Sequence, residues 1–169
     1  MILDCGCPGN YPDWDGQDVD LSHRAAHVLP IATFLHMPLS YESYRQRQQT
    51  ELEQLELEES WPGFTLTRTG LFRGQLIRLL ESKESLSRHF TRLDANFRVQ
   101  GLMHKGGIGT VRNSVREQQM TLLDSGRMPK EIYLSYLTCP RCCDDRGGER
   151  ILLLRRWKAS NRLAKKTAG

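Results

Sequence analysis

An α+β fold is what this sequence predicts: a small, mostly antiparallel sheet covered by three or four helices. Three observations predict it. Segments with a helical period alternate with short segments that have a strand period. The last two strand-like segments flank a cysteine-rich loop, so they form a hairpin with a zinc-knuckle-like tip. The 169 residues fit a single domain, 1–169, with room for a real core.

Residues 1–20 read as an irregular N-terminal loop, because Gly6, Pro8, Gly9, Pro12 and Gly16 break any period. The aspartates within it, Asp13, Asp15, Asp18 and Asp20, lack the spacing and the final glutamate of an EF-hand. Residues 21–28 suit a short helix ending before Pro30, with His23 and His27 four apart on one face. A longer helix is expected from Ser40 to about residue 60, with Ser40 as N-cap and Tyr41, Tyr44, Gln48, Leu52 and Leu55 as its packed stripe. Residues 64–68 alternate as a strand. Phe72, Leu76, Leu79, Leu80, Leu86, Phe90 and Leu93 keep one helical phase, which predicts one long helix or two with a bend near Ser82. Read alone, 71–80 is equally a strand. A strand over 97–103, a helix over 110–124 and strands over 131–138 and 150–157 complete the order. Residues 159–169 form a basic tail. No internal repeat is evident in the sequence.

Hydrophobic content of 38% and charged content of 26% place the chain among soluble globular proteins. The longest apolar run, 28–35, is far too short to span a bilayer. The first residues lack a basic segment followed by an apolar one, so a cytoplasmic, thiol-reducing setting is expected, with no membrane partner. Five cysteines is an odd number, and clustered cysteines in a reducing compartment point to metal or redox chemistry.

The cysteines fall at two places, Cys5-Gly6-Cys7 and Cys139-Pro140-Arg141-Cys142-Cys143. A two-residue spacer stiffened by Pro140 lets Cys139 and Cys142 face one ion, and Gly147 and Gly148 let the chain turn back. With Cys5 and Cys7 they make an all-sulfur set that suits zinc better than an iron–sulfur cluster, which prefers more cysteines in one segment. Cys5, Cys7, His23 and His27 are a second possible ligand set. Cys139 and Cys142 also suit a redox dithiol.

Lys105-Gly106-Gly107-Ile108-Gly109-Thr110 joins a strand to a helix, where free amides suit an anion. The loop resembles the deviant Walker motif over these few residues. Thr110 stands in place of its second lysine, so nucleotide hydrolysis is not expected. The net charge of +4 is unevenly spread. Glu51, Glu53, Glu56, Glu58 and Glu59 make an acidic face suited to a protein partner. Arg155, Arg156, Trp157, Lys158 and Arg162 combine cations with an aromatic ring, which suits nucleic acid. These features predict a zinc-stabilised binding or accessory module with an anionic or protein partner. The alternative is an enzyme with thiol-redox or metal-dependent chemistry at the cysteines.

Overall fold

The computed structural model describes residues 1–82 and 84–167. Its strands are β1 (Asp18–Asp20), β2 (Ala25–Phe34), β3 (Met37–Pro38), β4 (Thr65–Thr69), β5 (Arg73–Leu79), β6 (Phe90–Arg92), β7 (Arg98–Lys105), β8 (Arg127–Tyr136) and β9 (Arg150–Ala159). Its helices are α1 (Tyr41–Gln54), α2 (Val111–Asp124) and α3 (Asn161–Thr167). The expected sheet covered by three or four helices is not what forms. The fold is mostly antiparallel sheet, with nine strands and three short helices among the described residues.

Two helical expectations fail for one reason. Residues 25–34 are a strand, so His23 and His27 do not share a helical face. Residues 73–79 are also a strand, and most of it is buried on both faces. In such a strand the apolar run is continuous, and its period no longer separates strand from helix. Helix α1 stops at Gln54, short of residue 60. Glu56 takes a left-handed φ of 51°, and Leu57 turns back to donate its N–H to the Leu52 carbonyl at 2.9 Å. That turn brings Leu57 against the buried Ala25, Leu52 and Leu80. Ser40 does precede the helix, but in a left-handed conformation with no side-chain cap bond. Residues 18–20 of the expected loop form β1, and residues 161–167 of the expected tail form α3. The last two tail residues, 168 and 169, lie outside the described residues.

The chain divides into two compact units, Met1–Tyr11 with His23–Leu93 and Pro12–Ser22 with Asp94–Gly169. In the first, β5 pairs with both β2 and β4, and β2 also carries β3 and β6. In the second, β9 pairs with both β7 and β8, and β1 adds to the outer side of β7. The hairpin of β8 and β9 therefore forms as expected, with the cysteine loop at its tip. Each unit follows the same plan of strand, helix, strand, strand, with the last strand in the middle.

The repeat extends to single residues. Gln48 and Gln118 each occupy the eighth position of a fourteen-residue helix and are buried. Gln48 Nε2 donates to the carbonyls of His27 and Leu76, at 3.3 and 3.0 Å. Gln118 Nε2 donates to those of Gln100 and Leu153, at 2.7 and 3.3 Å. The bonded carbonyls lie on equivalent ladder positions: His27 pairs with Arg78 and Leu29 with Leu76, while Gln100 pairs with Arg155 and Leu102 with Leu153. Four residues on, Leu52 and Leu122 fill the space beneath each helix. Each glutamine thus clamps its helix to two neighbouring strands.

Replacing Gln48 by Ala removes two buried hydrogen bonds, so urea unfolding should show a loss of about 1–3 kcal/mol. A loss below about 0.3 kcal/mol would show that the clamp is dispensable.

Candidate functional site

Three polar clusters stand out. The first is built on a tight turn at the N-terminus. Leu3 N–H donates to the Cys7 carbonyl at 2.9 Å and Gly6 N–H to the Leu3 carbonyl at 2.7 Å. Gly6 has φ of 85°, a conformation glycine adopts without strain. Arg45 of α1 donates to the Gly6 carbonyl at 2.7 Å and holds the turn from outside. Cys5 is half-buried and Cys7 buried on either side of that glycine.

At the tip of the β8–β9 hairpin, the N–H groups of Cys142 and Cys143 both reach the Cys139 carbonyl, at 3.1 and 2.9 Å. Cys139 N–H points at Cys142 Sγ, 3.4 Å away, and the Cys139 and Cys142 sulfurs are 3.9 Å apart. Cys5 and Cys7 belong to the first unit and Cys139 and Cys142 to the second, and all four are of a residue type that could hold a metal ion. Cys143 points elsewhere, toward the Pro140 carbonyl and Asp144. Burial and the Asp144 charge push its thiol up, which makes it a poor nucleophile at neutral pH.

The second cluster, His27, Glu51 and His89, has no local signal in the sequence, where Glu51 is one glutamate of the acidic face. Ser87 Oγ donates to Glu51 Oε1 at 2.5 Å, and His89 Nδ1 sits 3.0 and 2.9 Å from the two carboxylate oxygens. The fully buried His27 brings Nε2 within 3.3 Å of Oε1. Burial pushes the Glu51 carboxyl up, but the bonds from Ser87, His89 and His27 outweigh it and bring it down to about 2. Burial lowers His27, so its neutral form is favoured.

Two imidazoles and a carboxylate are ligand types that suit a divalent ion. The proton count opposes one. Gln48 Nε2 lies 3.0 Å from His27 Nδ1 and is turned that way by the two carbonyls it serves. Gln118 takes the same orientation with no histidine beside those carbonyls. His27 Nδ1 is therefore an acceptor, and neutral His27 carries its proton on Nε2, the atom a metal would need bare. The cluster is a carboxylate held by hydrogen-bond donors. Glu59 has a comparable role, accepting from the buried Arg78 at 2.6 Å.

The third cluster lies at the glycine loop. Gly106 N–H donates to the Glu149 carbonyl at 2.9 Å and Thr110 N–H to the Gly107 carbonyl at 3.3 Å, so these two amides are already used. A Cβ on Gly107 would meet the Glu149 carboxylate at 2.4 Å. Lys105 and Gly109 are exposed or half-exposed beside them. His104, at the end of β7, is 7% exposed and bonds with Ser114 Oγ at 2.7 Å and Thr110 Oγ1 at 3.0 Å.

The basic C-terminal residues divide by environment. Arg155 is half-buried, and burial lowers its guanidinium from the usual arginine range. Arg156 stacks on Phe97 and faces Asp94 at 3.5 Å and Glu131 at 3.9 Å. Trp157 has the Arg127 guanidinium 4.8 Å and the Arg98 guanidinium 5.8 Å from its ring centre. Lys158 and Arg162 are exposed. Asn96, Arg98, Trp157, Lys158 and Ala159 line a groove of about 280 Å³.

A family model described as Bacterial hydrolase matches residues 3–156. The chain belongs to this family. The match includes Cys5, Cys7, Cys139 and Cys142 and stops before Trp157. No curated protein matches the chain. Among solved structures, the EcmrR C-terminal domain is similar with a TM-score of 0.59 and 12% identity, over 85% of this chain and 95% of that one. EcmrR in an EcmrR–DNA complex is similar with a TM-score of 0.58 and 11% identity, over 85% of this chain and 56% of that one. At such identities the likeness concerns the fold. No helix among the described residues is long and apolar enough to cross a membrane.

Glu51 bears on acid stability. Its carboxyl is depressed in the folded state, so its contribution is complete above the unfolded value near 4.5 and lost as pH falls through about 2. The depressed His27 acts in the same sense, being neutral in the fold and protonated sooner when unfolded. Glu51→Gln should lower stability at pH 7 by roughly 1–3 kcal/mol, and wild type and variant should converge toward pH 2. Parallel stability curves down to pH 2 would rule out this account of Glu51.

Proposed function

We propose that the chain is a zinc-stabilised binding module of the cytoplasm, with Cys5, Cys7, Cys139 and Cys142 holding one structural zinc ion. The two cysteine pairs, each set on a tight hydrogen-bonded turn with Cys139 and Cys142 sulfurs 3.9 Å apart, carry this reading. Four thiolates fill a tetrahedral shell and leave no position for substrate, which is the pattern of structural sites. Zinc bound there adds folding energy, because the unfolded chain has no site to offer it. Iron–sulfur chemistry is the lesser alternative for the same ligands. The metal-dependent and thiol-redox enzyme readings lose ground together: a closed site has no open coordination position, and zinc-bound thiolates are not a free dithiol.

The partner we assign is anionic. Lys105, Lys158 and Arg162 present exposed cations, and the groove beside Trp157 is cationic on the side of Arg98 and Lys158. Nucleic acid fits this chemistry, and the fold likeness to a protein solved in a DNA complex supports testing it. Arg155, Arg156 and the face of Trp157 beneath Arg127 contribute less, because burial, carboxylates and guanidinium groups already occupy them.

Protein purified without added metal should contain about one zinc per chain by elemental analysis, with no visible absorbance. Converting Cys139 and Cys142 together to Ser should abolish the zinc and lower Tm by about 10 °C or more. A variant as stable as wild type sinks the structural zinc. For the partner, the anisotropy of a labelled single-stranded oligonucleotide should report binding that weakens steeply with salt. Lys158→Glu with Arg162→Glu should weaken it at least tenfold, and binding unaffected by that pair would remove these residues from the interface.

A second reading is favoured by the family description and by the contact between His104 and Ser114: the chain hydrolyses a substrate. A closed cysteine site cannot supply that chemistry, so the hydrolytic groups must lie elsewhere.

A further inference from the structure

We propose that Ser114 and His104 are the nucleophile and general base of a serine-type site that cleaves carboxylic esters. The inference rests on the hydrolase reading above and names the residues that would carry it out. Ser114 lies in the second turn of α2, and the side chain of a helical residue leans toward the helix N-terminus. That lean carries Ser114 Oγ to within 2.7 Å of His104 Nδ1.

The direction of this bond follows from the other ring nitrogen. His104 Nε2 lies 3.2 Å from the Gly107 carbonyl, which can only accept, and 3.0 Å from Thr110 Oγ1. Thr110 Oγ1 in turn donates to the same carbonyl at 3.3 Å, which leaves its lone pairs for the ring. Nε2 therefore carries the proton and Nδ1 is bare, so the Ser114 hydroxyl donates to His104. A hydroxyl donating to an imidazole whose far nitrogen is held by a third group is the arrangement that activates serine.

The glycine loop provides the room. Gly106 has φ of 154°, and a Cβ there would fall 2.8 Å from Thr110 Oγ1 and 2.9 Å from His104 Nε2. The loop lets the backbone pass close to the imidazole and turns the Gly107 carbonyl onto it. His104 is shielded from water while Ser114 is half-buried and Thr110 exposed. A substrate would thus approach from the side of Ser114 and Thr110, beside the exposed Arg112 and Asn113.

The reaction balances without a metal or an oxidant. Ser114 Oγ bonds to the ester carbonyl carbon as its proton passes to His104 Nδ1. The bond to the alcohol oxygen then breaks, and the alcohol leaves with that proton. Water gives a proton to the bare Nδ1 and attacks the acyl carbon. The acid is released as the proton returns to Ser114 Oγ. Throughout, Nε2–H stays on the Gly107 carbonyl and Thr110.

The test uses the full zinc-loaded chain. A fluorophosphonate probe should label one serine per chain, and peptide mass spectrometry should place it at Ser114. Hydrolysis of p-nitrophenyl acetate should fall at least a hundredfold in Ser114→Ala and in His104→Asn, with circular dichroism unchanged. If Ser114→Ala fails to fold, Ser114→Cys serves: its thiol keeps the contact and should react with iodoacetamide faster than the thiols of the wild type. Labelling at another serine, or ester hydrolysis that survives both variants, overturns the assignment and leaves the hydrolase reading intact. Cleavage of p-nitrophenyl phosphate without any cleavage of the acetate does the same. No hydrolysis of either compound and no labelling would sink both.

Discussion

One hydrogen-bond donor pair in each unit, the side-chain amide of Gln48 or Gln118, holds helix to sheet. A buried amide that serves two strand carbonyls can sit at only one height and one rotation above the ladder. The rest of each helix follows from that constraint. In the first unit it places Leu52 over Ala25 and Leu80, and it places Glu51 beside His27 and His89. In the second it places Leu122 in the core and Ser114, one turn nearer the N-terminus, against His104. The same amide that fastens the helix also sets the tautomer of His27. A packing device thus decides protonation chemistry in the first unit, whereas in the second Gln100 stands at the position of His27.

Some of the molecule's charges are spent internally. Glu51 and Glu59 look like two more members of an acidic helix face, yet they neutralise His89 and Arg78 within the fold. Arg156 belongs to Asp94 and Glu131 in the same way. A net charge of +4 therefore overstates the cation available to a partner at some places and understates it at others. Lys158 and Arg162 are exposed, whereas Arg155 and Arg156 in the same basic run are half-buried.

The two proposals for this member of the Bacterial hydrolase family concern different residues. The thiols suit a closed metal site, whose contribution is to folding. The imidazole and hydroxyl at the glycine loop suit acyl transfer, which needs no metal. This separation makes the experiments independent: metal removal tests the cysteines, and serine labelling tests the loop.

By itself the sequence determined the local devices. The spacing of Cys139 and Cys142 around Pro140 announces a knuckle, the alternation before and after it announces the hairpin, and the strand–glycine–helix order at Lys105 was readable because turn chemistry is local. The repeat was present only as Gln48-Gln49 with Leu52 and Gln118-Gln119 with Leu122, too little to notice without the ladders beneath. Tertiary structure decided the rest. It made strands of residues 25–34 and 73–79: the second and the start of the first are buried on both faces, where no period can be read. It paired His27 with Glu51 and His89, and His104 with Ser114, because pairing across elements depends on which face each side chain turns inward. A one-residue change of register would reverse that choice, and no spacing along the chain records it.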